Sequence, residues 1–299
     1  MTLPPEILPK QMGYDATDAL VCPQENPMAP SSTDPQFGFI GGGVMAEAIV
    51  SRLVASGAYP AAAVWVSDPQ EQRRQWLSQQ YGVTTLADNG IVAQAPMVVL
   101  AIKPQVLDSV LPSLKLDPAK TPLILSILAG TPLQRLEAAL PGCPVIRVMP
   151  NTPATVGAGV SAMAAGSQVQ AQHLEQARQV LATIGSVVEV PESLMDAVTG
   201  LSGSGPAYVA LMVEALTDGG VAVGLPRTIA QQLALQTVRG TAELMTQQDL
   251  HPALLKDRVT SPGGTTIAGI SALEQAGFRS ALIQAVQAAT HRSQELGKG

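Results

Sequence analysis

A four-residue apolar run, Phe37-Gly38-Phe39-Ile40, stops at three consecutive glycines, Gly41-Gly42-Gly43, and Val44-Met45-Ala46 then opens an apolar-periodic stretch reaching about Ala55. A strand, a glycine turn and a helix in that order restrict a fold more than any other feature of this chain. Gly41 permits the tight turn. Gly43 lets backbone come close to a pyrophosphate, and Ala46 fills the third, small-residue place of a dinucleotide fingerprint. Free amides at the helix start, with the helix dipole behind them, suit a phosphate charge. The residues expected to line such a turn are Ile40, Gly41, Gly42, Gly43, Val44 and Met45.

The pattern repeats. Val64–Val66, Met97–Ile102, Leu123–Leu128 and Val145–Met149 are further apolar runs, with helical stretches between most of them. Weaker strands near Gly159–Ala164 and Val187–Val190 extend the series. Alternating strand and helix implies a parallel sheet with helices on both faces. After about Pro191 no strong strand is found. Pro206 is placed like a first helical residue, Gly224 like the end of that helix and Pro226 like the start of another. From Ala207 to Leu216 nearly every residue is apolar, with Glu214 the exception. A helix apolar all round must be enclosed, and so small a helical half can hardly enclose it alone, whereas a partner subunit could. The expected architecture is therefore α/β: a flexible tail over residues 1–36, a Rossmann-type parallel-sheet domain over 37–191, and an all-α dimerisation domain over 192–299.

Composition narrows the function. The 299 residues carry a net charge of -6 with no Lys/Arg block, which argues against a nucleic-acid partner. Two cysteines, Cys22 and Cys143, and three scattered histidines, His173, His251 and His291, offer no metal-ligand spacing. The first 36 residues lack the basic start and apolar core of a signal peptide, and the uncharged run Val148–Gln172 is too broken by Pro and Gly to span a bilayer. A metal-free cytoplasmic protein, without membrane or nucleic-acid partners, is the expectation.

Three loops at the carboxyl ends of strands join the glycine turn on the edge where such sheets bind ligands. They are Ala101-Ile102-Lys103-Pro104, Ala129-Gly130-Thr131, and the Asn151-Thr152 pair after the fifth strand. Asp68, after the second strand, could accept a hydrogen bond from a ribose 2′-hydroxyl and favour NADH. Arg73 and Arg74 could instead neutralise a 2′-phosphate and favour NADPH, or simply form a solvated helix face.

The segments GFIGGGVMAEAI, AIKPQ, VMPNTP, GLSGSGPAY, DGGVAVGLPR and SPGGTT occur in this order. Together they resemble the pyrroline-5-carboxylate reductases from about Phe37 to Leu296. The resemblance implies NAD(P)H-dependent reduction of a cyclic imine, 1-pyrroline-5-carboxylate, to L-proline, with NADPH the favoured cofactor and NADH also plausible. It implies active sites at the interface of a homodimer, and a larger ring of dimers such as a decamer. It places Asn89 at the adenosine end of the cofactor and Glu192 close to nicotinamide and substrate, although Glu192 also reads as a helix N-terminal acid. Arg258 stands where some members have Asn. β-Hydroxyacid dehydrogenases share the scaffold but place a Lys in the helical domain, and Lys256 and Lys298 are the only lysines there.

The resemblance also explains Val259–Ile270, where Ser261-Pro262-Gly263-Gly264 interrupts a helical region. Ile267, Ile270 and Leu273 mark a helix starting near Thr265 and closed by Gly277. Gly263 and Gly264 then precede its N-terminus, where free amides form a cradle for the substrate carboxylate. Ser261, Gly263, Gly264, Thr265 and Thr266 are the expected substrate residues, with Thr266 as the catalytic hydroxyl at the imine nitrogen. Without the resemblance, a helix–helix turn capped by Ser261 accounts for the same residues.

Overall fold

The computed structural model describes residues 35–57, 59–117 and 120–297, all within one compact unit. Except for Pro35 and Gln36, the expected tail lies outside the described residues. Gln36 already belongs to the fold, since its amide donates to Ala63 O at 2.9 Å.

Eight strands form one sheet: β1 (Phe37–Ile40), β2 (Val64–Ser67), β3 (Thr84–Leu86), β4 (Met97–Leu100), β5 (Leu123–Ser126), β6 (Val145–Met149), β7 (Gly159–Ala165) and β8 (Gly185–Glu189). Their spatial order is β3-β2-β1-β4-β5-β6-β7-β8, so the first six follow the doubly wound arrangement with a switch point between β1 and β4. β1, β4 and β5 are buried along their whole length, as strands covered on both faces must be. β3 has no signal in the apolar pattern. It is three half-buried residues, two of them Thr, and exists because Trp65–Ser67 offers it a ladder.

One pair departs from a purely parallel sheet. β7 runs antiparallel to β6. Only a short loop, containing a single turn of 3-10 helix at Thr152–Val156, joins the two. A parallel return needs a crossover of a dozen or more residues, so the chain can only double back. The helix α6 (Ala171–Ala182) supplies such a crossover from β7 to β8, and that pair is parallel.

Alternation along the strands splits the core in two. Phe37, Phe39 and Val99 face the helices α1 (Val44–Ala55), α2 (Glu71–Tyr81) and α6. Ile40, Val98 and Leu100 face the short helices α3 (Asn89–Val92) and α4 (Leu107–Val110), then α5 (Leu133–Ala139) and α7 (Met195–Val198).

A π-helical turn, Thr199–Gly203, leads into α8 (Gly205–Ala222), α9 (Arg227–Gln247), α10 (Pro252–Arg258), α11 (Thr265–Gln275) and α12 (Phe278–Leu296). Gly224 at φ +101° and Gly277 at φ +73° make the reversals after α8 and α11. α12 returns to the sheet side. A Cβ at Gly200 would lie 2.3 Å from Thr290 Oγ1, so only glycine lets the π-helical turn and α12 come this close. α8 to α11, by contrast, lie bare: Leu211 is 67% exposed, Val223 83% and Leu233 53%. The chain alone does not enclose the apolar helix at Ala207–Leu216.

Candidate active site

The carboxyl edge of the sheet gathers the dinucleotide residues. Gly41, at φ +99°, donates its amide to Ser67 O at 2.8 Å, and Ala101 donates to Ile40 O at the same distance. A Cβ on Gly41 would sit 2.6 Å from Ala101 O, so this turn presses against the loop after β4 and excludes any side chain. A Cβ at Gly43 would meet nothing within 4 Å. That open side is where a ligand can approach backbone. Gly43 caps α1 with no side-chain hydrogen bond, and the amides of Gly43, Val44 and Met45 have no acceptor among the described residues. A pyrophosphate fits such a turn.

Around it, Asp68 accepts from Gly42 N through Oδ2 and from Gln70 N through Oδ1, both at 2.9 Å. Arg74 Nη1 donates to Asp68 O at 2.7 Å and Pro69 O at 3.1 Å. Arg73 pairs with Glu47 of α1, donates to Gly42 O, and stacks over Trp76 with 5.0 Å to the ring centroid. Burial and the hydrogen bond to Glu47 push the Tyr81 phenol above its ordinary pKa. Glu47 carried no signal in the sequence, because its relation to Arg73 joins two helices, whereas Trp76 stacks on Arg73 from one turn along α2.

Lys103 is exposed and starts a 3-10 turn at Pro104. Pro104 and Ala129 line neighbouring clefts of ≈ 770 and ≈ 370 Å³, closed on the other side by Arg292 and Leu296 of α12. Asn89 opens α3 and donates to Ser113 Oγ at 2.9 Å, while Asp88 caps that helix through Gly90 N at 2.8 Å. Asn151 is engaged at both ends of its amide: Oδ1 accepts from Val160 N at 2.9 Å, and Nδ2 donates to Ser202 O at 3.2 Å. It ties β7 to the π-helical turn.

Glu192 is engaged as well. Its Oε1 accepts from Leu133 N, the first residue of α5, at 2.6 Å and from Arg147 Nη1 at 3.1 Å. It is an acid at two helix N-termini, opening the 3-10 turn Glu192–Leu194 that leads into α7 and meeting the start of α5 from a distance. Arg147 went unremarked in the sequence. A charge inside the run Val145–Met149 was the available signal, since a buried guanidinium requires a partner.

At the far end, α11 begins at Thr265 and Gly277 closes it. Gly263 sits at φ +66°. The cradle differs from expectation in one amide: Gly264 N donates to Ser261 O at 3.1 Å, so it is not free. That bond makes the turn that turns the following amides outward. Thr265, Thr266 and Ile267 donate to no acceptor among the described residues, and Ser261 does not cap the helix. Thr266 is half-buried and Ser261 exposed. None of residues 261–266 lines the clefts beside Pro104 and Ala129.

Known proteins with the same plan decide the family. A relative from Synechocystis sp., named pyrroline-5-carboxylate reductase, is 58% identical over 264 residues, covering 88% of this chain and 98% of its own length. The chain belongs to the pyrroline-5-carboxylate reductase family. The family model described as "Pyrroline-5-carboxylate reductase dimerisation" matches residues 192–296. The model described as "NADP oxidoreductase coenzyme F420-dependent" matches residues 36–130. Among solved structures, a pyrroline-5-carboxylate reductase from Coxiella burnetii superposes with a TM-score of 0.81 at 33% identity, covering 89% of this chain and 99% of that one. The Plasmodium falciparum enzyme, solved with NADP bound, does so with 0.79 at 30% identity and the same coverage. Among the described residues no helix is long and apolar enough to cross a membrane, and no cluster of side chains suits a metal ion.

Proposed function

We propose that this chain reduces 1-pyrroline-5-carboxylate to L-proline with NADPH, NADH also serving, and that it works as a homodimer built into a larger ring such as a decamer. The observation that carries the reading is the start of α11, where three successive amides without acceptors follow an exposed Ser261 on a turn that only glycine at 263 makes without strain. An acid group binds there through backbone donors and the helix dipole together.

Ser261, Gly263, Thr265 and Thr266 hold the substrate carboxylate, and Gly264 shapes the turn. The ring nitrogen enters protonated, as an iminium, so no strong protein acid is required and the absence of a His pair from the cradle is no obstacle. Thr266 Oγ1 accepts the N–H and fixes which face of the ring is presented. Gly41–Met45 hold the pyrophosphate, with Asp68 and Asn89 towards the adenosine end. Ala101–Pro104, Ala129 and Asn151 border the nicotinamide end, where bound reduced cofactor supplies hydride to the C=N carbon.

Exposed Leu211, Val223, Leu233 and Leu235 support the homodimer, because a bare apolar surface of this kind is covered in a stable protein. In the dimer the cradle of one subunit meets the sheet edge of its partner. A cytoplasmic setting agrees with Cys143, a free and buried thiol.

Consumption of NADPH that requires pyrroline-5-carboxylate is the expected result in a steady-state assay. Thr266→Ala should lower kcat/KM by about 10- to 1,000-fold while leaving NADPH affinity unchanged. Turnover within about twofold of the parent would remove the role given to this hydroxyl.

A further inference from the structure

At the end of β2 the sequence offers two opposed selectors, Asp68 for a ribose 2′-hydroxyl and the Arg73-Arg74 pair for a 2′-phosphate. The structure separates them. We propose that Arg73 selects a dinucleotide carrying a 2′-phosphate, and that Asp68 braces the glycine turn without selecting against that phosphate. The inference rests on the dinucleotide reading of Gly41–Met45.

Each carboxylate oxygen of Asp68 already accepts a backbone amide, from Gly42 and from Gln70. These bonds span the turn after β1 and the loop after β2, so the charge serves to hold two loops in register. Arg74 pins the same loop through carbonyls of Asp68 and Pro69. Both amide bonds draw the carboxylate oxygens toward the two loops they join.

Arg73 is built differently. Its Nε bonds Gly42 O, its Nη2 reaches Glu47 and Gly43 O, and Trp76 supports one face of its plane. Glu47 is itself fixed by Tyr81 Oη at 3.0 Å. The guanidinium is thus immobilised beside the open side of the glycine turn, while Nη1 donates to no acceptor among the described residues. A planar fork held in advance loses little rotamer freedom on meeting a phosphate. A doubly charged phosphate can take Nη1 while Glu47 keeps Nη2. A 2′-hydroxyl gains nothing comparable from a cation.

Calorimetric titration of the whole protein tests this with four probes: NADPH, NADH, adenosine 2′,5′-bisphosphate and AMP. Arg73→Gln should weaken NADPH and the bisphosphate by about 10-fold or more, and NADH and AMP by less than about twofold. Asp68→Asn should weaken NADPH and NADH by the same factor. Equal loss of both dinucleotides in Arg73→Gln, or no loss, overturns the proposal. So does selective loss of NADH in Asp68→Asn. If Arg73→Gln does not fold, Arg73→Lys decides, since it keeps the charge without the fork: a several-fold drop in NADPH preference supports the proposal and an unchanged preference overturns it. Failure of the parent to bind either dinucleotide would instead end the dinucleotide reading, an outcome distinct from all of these.

Discussion

The sheet half and the helical half of this chain handle apolar surface in opposite ways. From Phe37 to Ile184, side chains such as Phe39, Leu53, Ile124 and Ile146 are fully buried, in two clusters on the two faces of the sheet. From α8 to α12 the buried residues are Thr217, Ala230, Ala234 and Ser293, all of them small, while larger side chains such as Leu211, Val223 and Leu233 stand exposed. One half satisfies itself. The other is a surface in search of a second surface, and the proposed substrate cradle is mounted on it. On that proposal, chemistry that needs both halves is linked to assembly.

The sharpest break in the comparison is a charge on the bare face. Leu211→Glu should dissociate the assembly in sedimentation analysis and lower activity by more than about 100-fold, because an unpaired charge in a covered interface is strongly destabilising. An intact, fully active oligomer would mean that α8 faces water. Next comes Gly41→Ala, where positive φ and the carbonyl of Ala101 both oppose a Cβ. It should weaken NADPH binding by about 100-fold with the oligomer preserved, a loss confined to the sheet half. Leu53→Ala, in the buried face of α1, should cost about 2–5 kcal/mol in denaturant unfolding, as a cavity in a closed core does. The smallest effect concerns Cys143. Burial raises the pKa of its thiol, so the folded state favours the neutral form. Its contribution to stability is complete below the unfolded thiol value of about 8.5 and is lost as pH rises through the folded value. Iodoacetamide labelling at neutral pH should be slow in the native protein and fast in denaturant.

Seven of the eight strands were legible because each carries an apolar run, and β3 was not because it borrows its order from β2. The antiparallel turn of β7 could have been suspected from the short, Pro-containing stretch after Met149, where no crossover helix fits. At the site, the glycine turn and SPGGTT were readable as local chemistry. Local spacing did not reveal that Gly264 spends its amide on Ser261, that Glu192 and Arg147 meet at the start of α5, or that Asn151 anchors the π-helical turn. Those partners lie between three and 59 positions apart, and the longest-range of them depend on how the elements pack.

The sequence by itself determined what local rules govern: where strands and helices begin, which glycines turn the chain, and which family motifs follow in order. These depend on backbone sterics and apolar periodicity within a few residues. Only the tertiary structure decided which polar groups are committed to one another, Asp68 to the amides of Gly42 and Gln70 and Arg73 to Glu47 and Gly42 O. A carboxylate or guanidinium has no assigned role until packing places its donors and acceptors within about 3 Å, because hydrogen bonding falls away steeply beyond that distance.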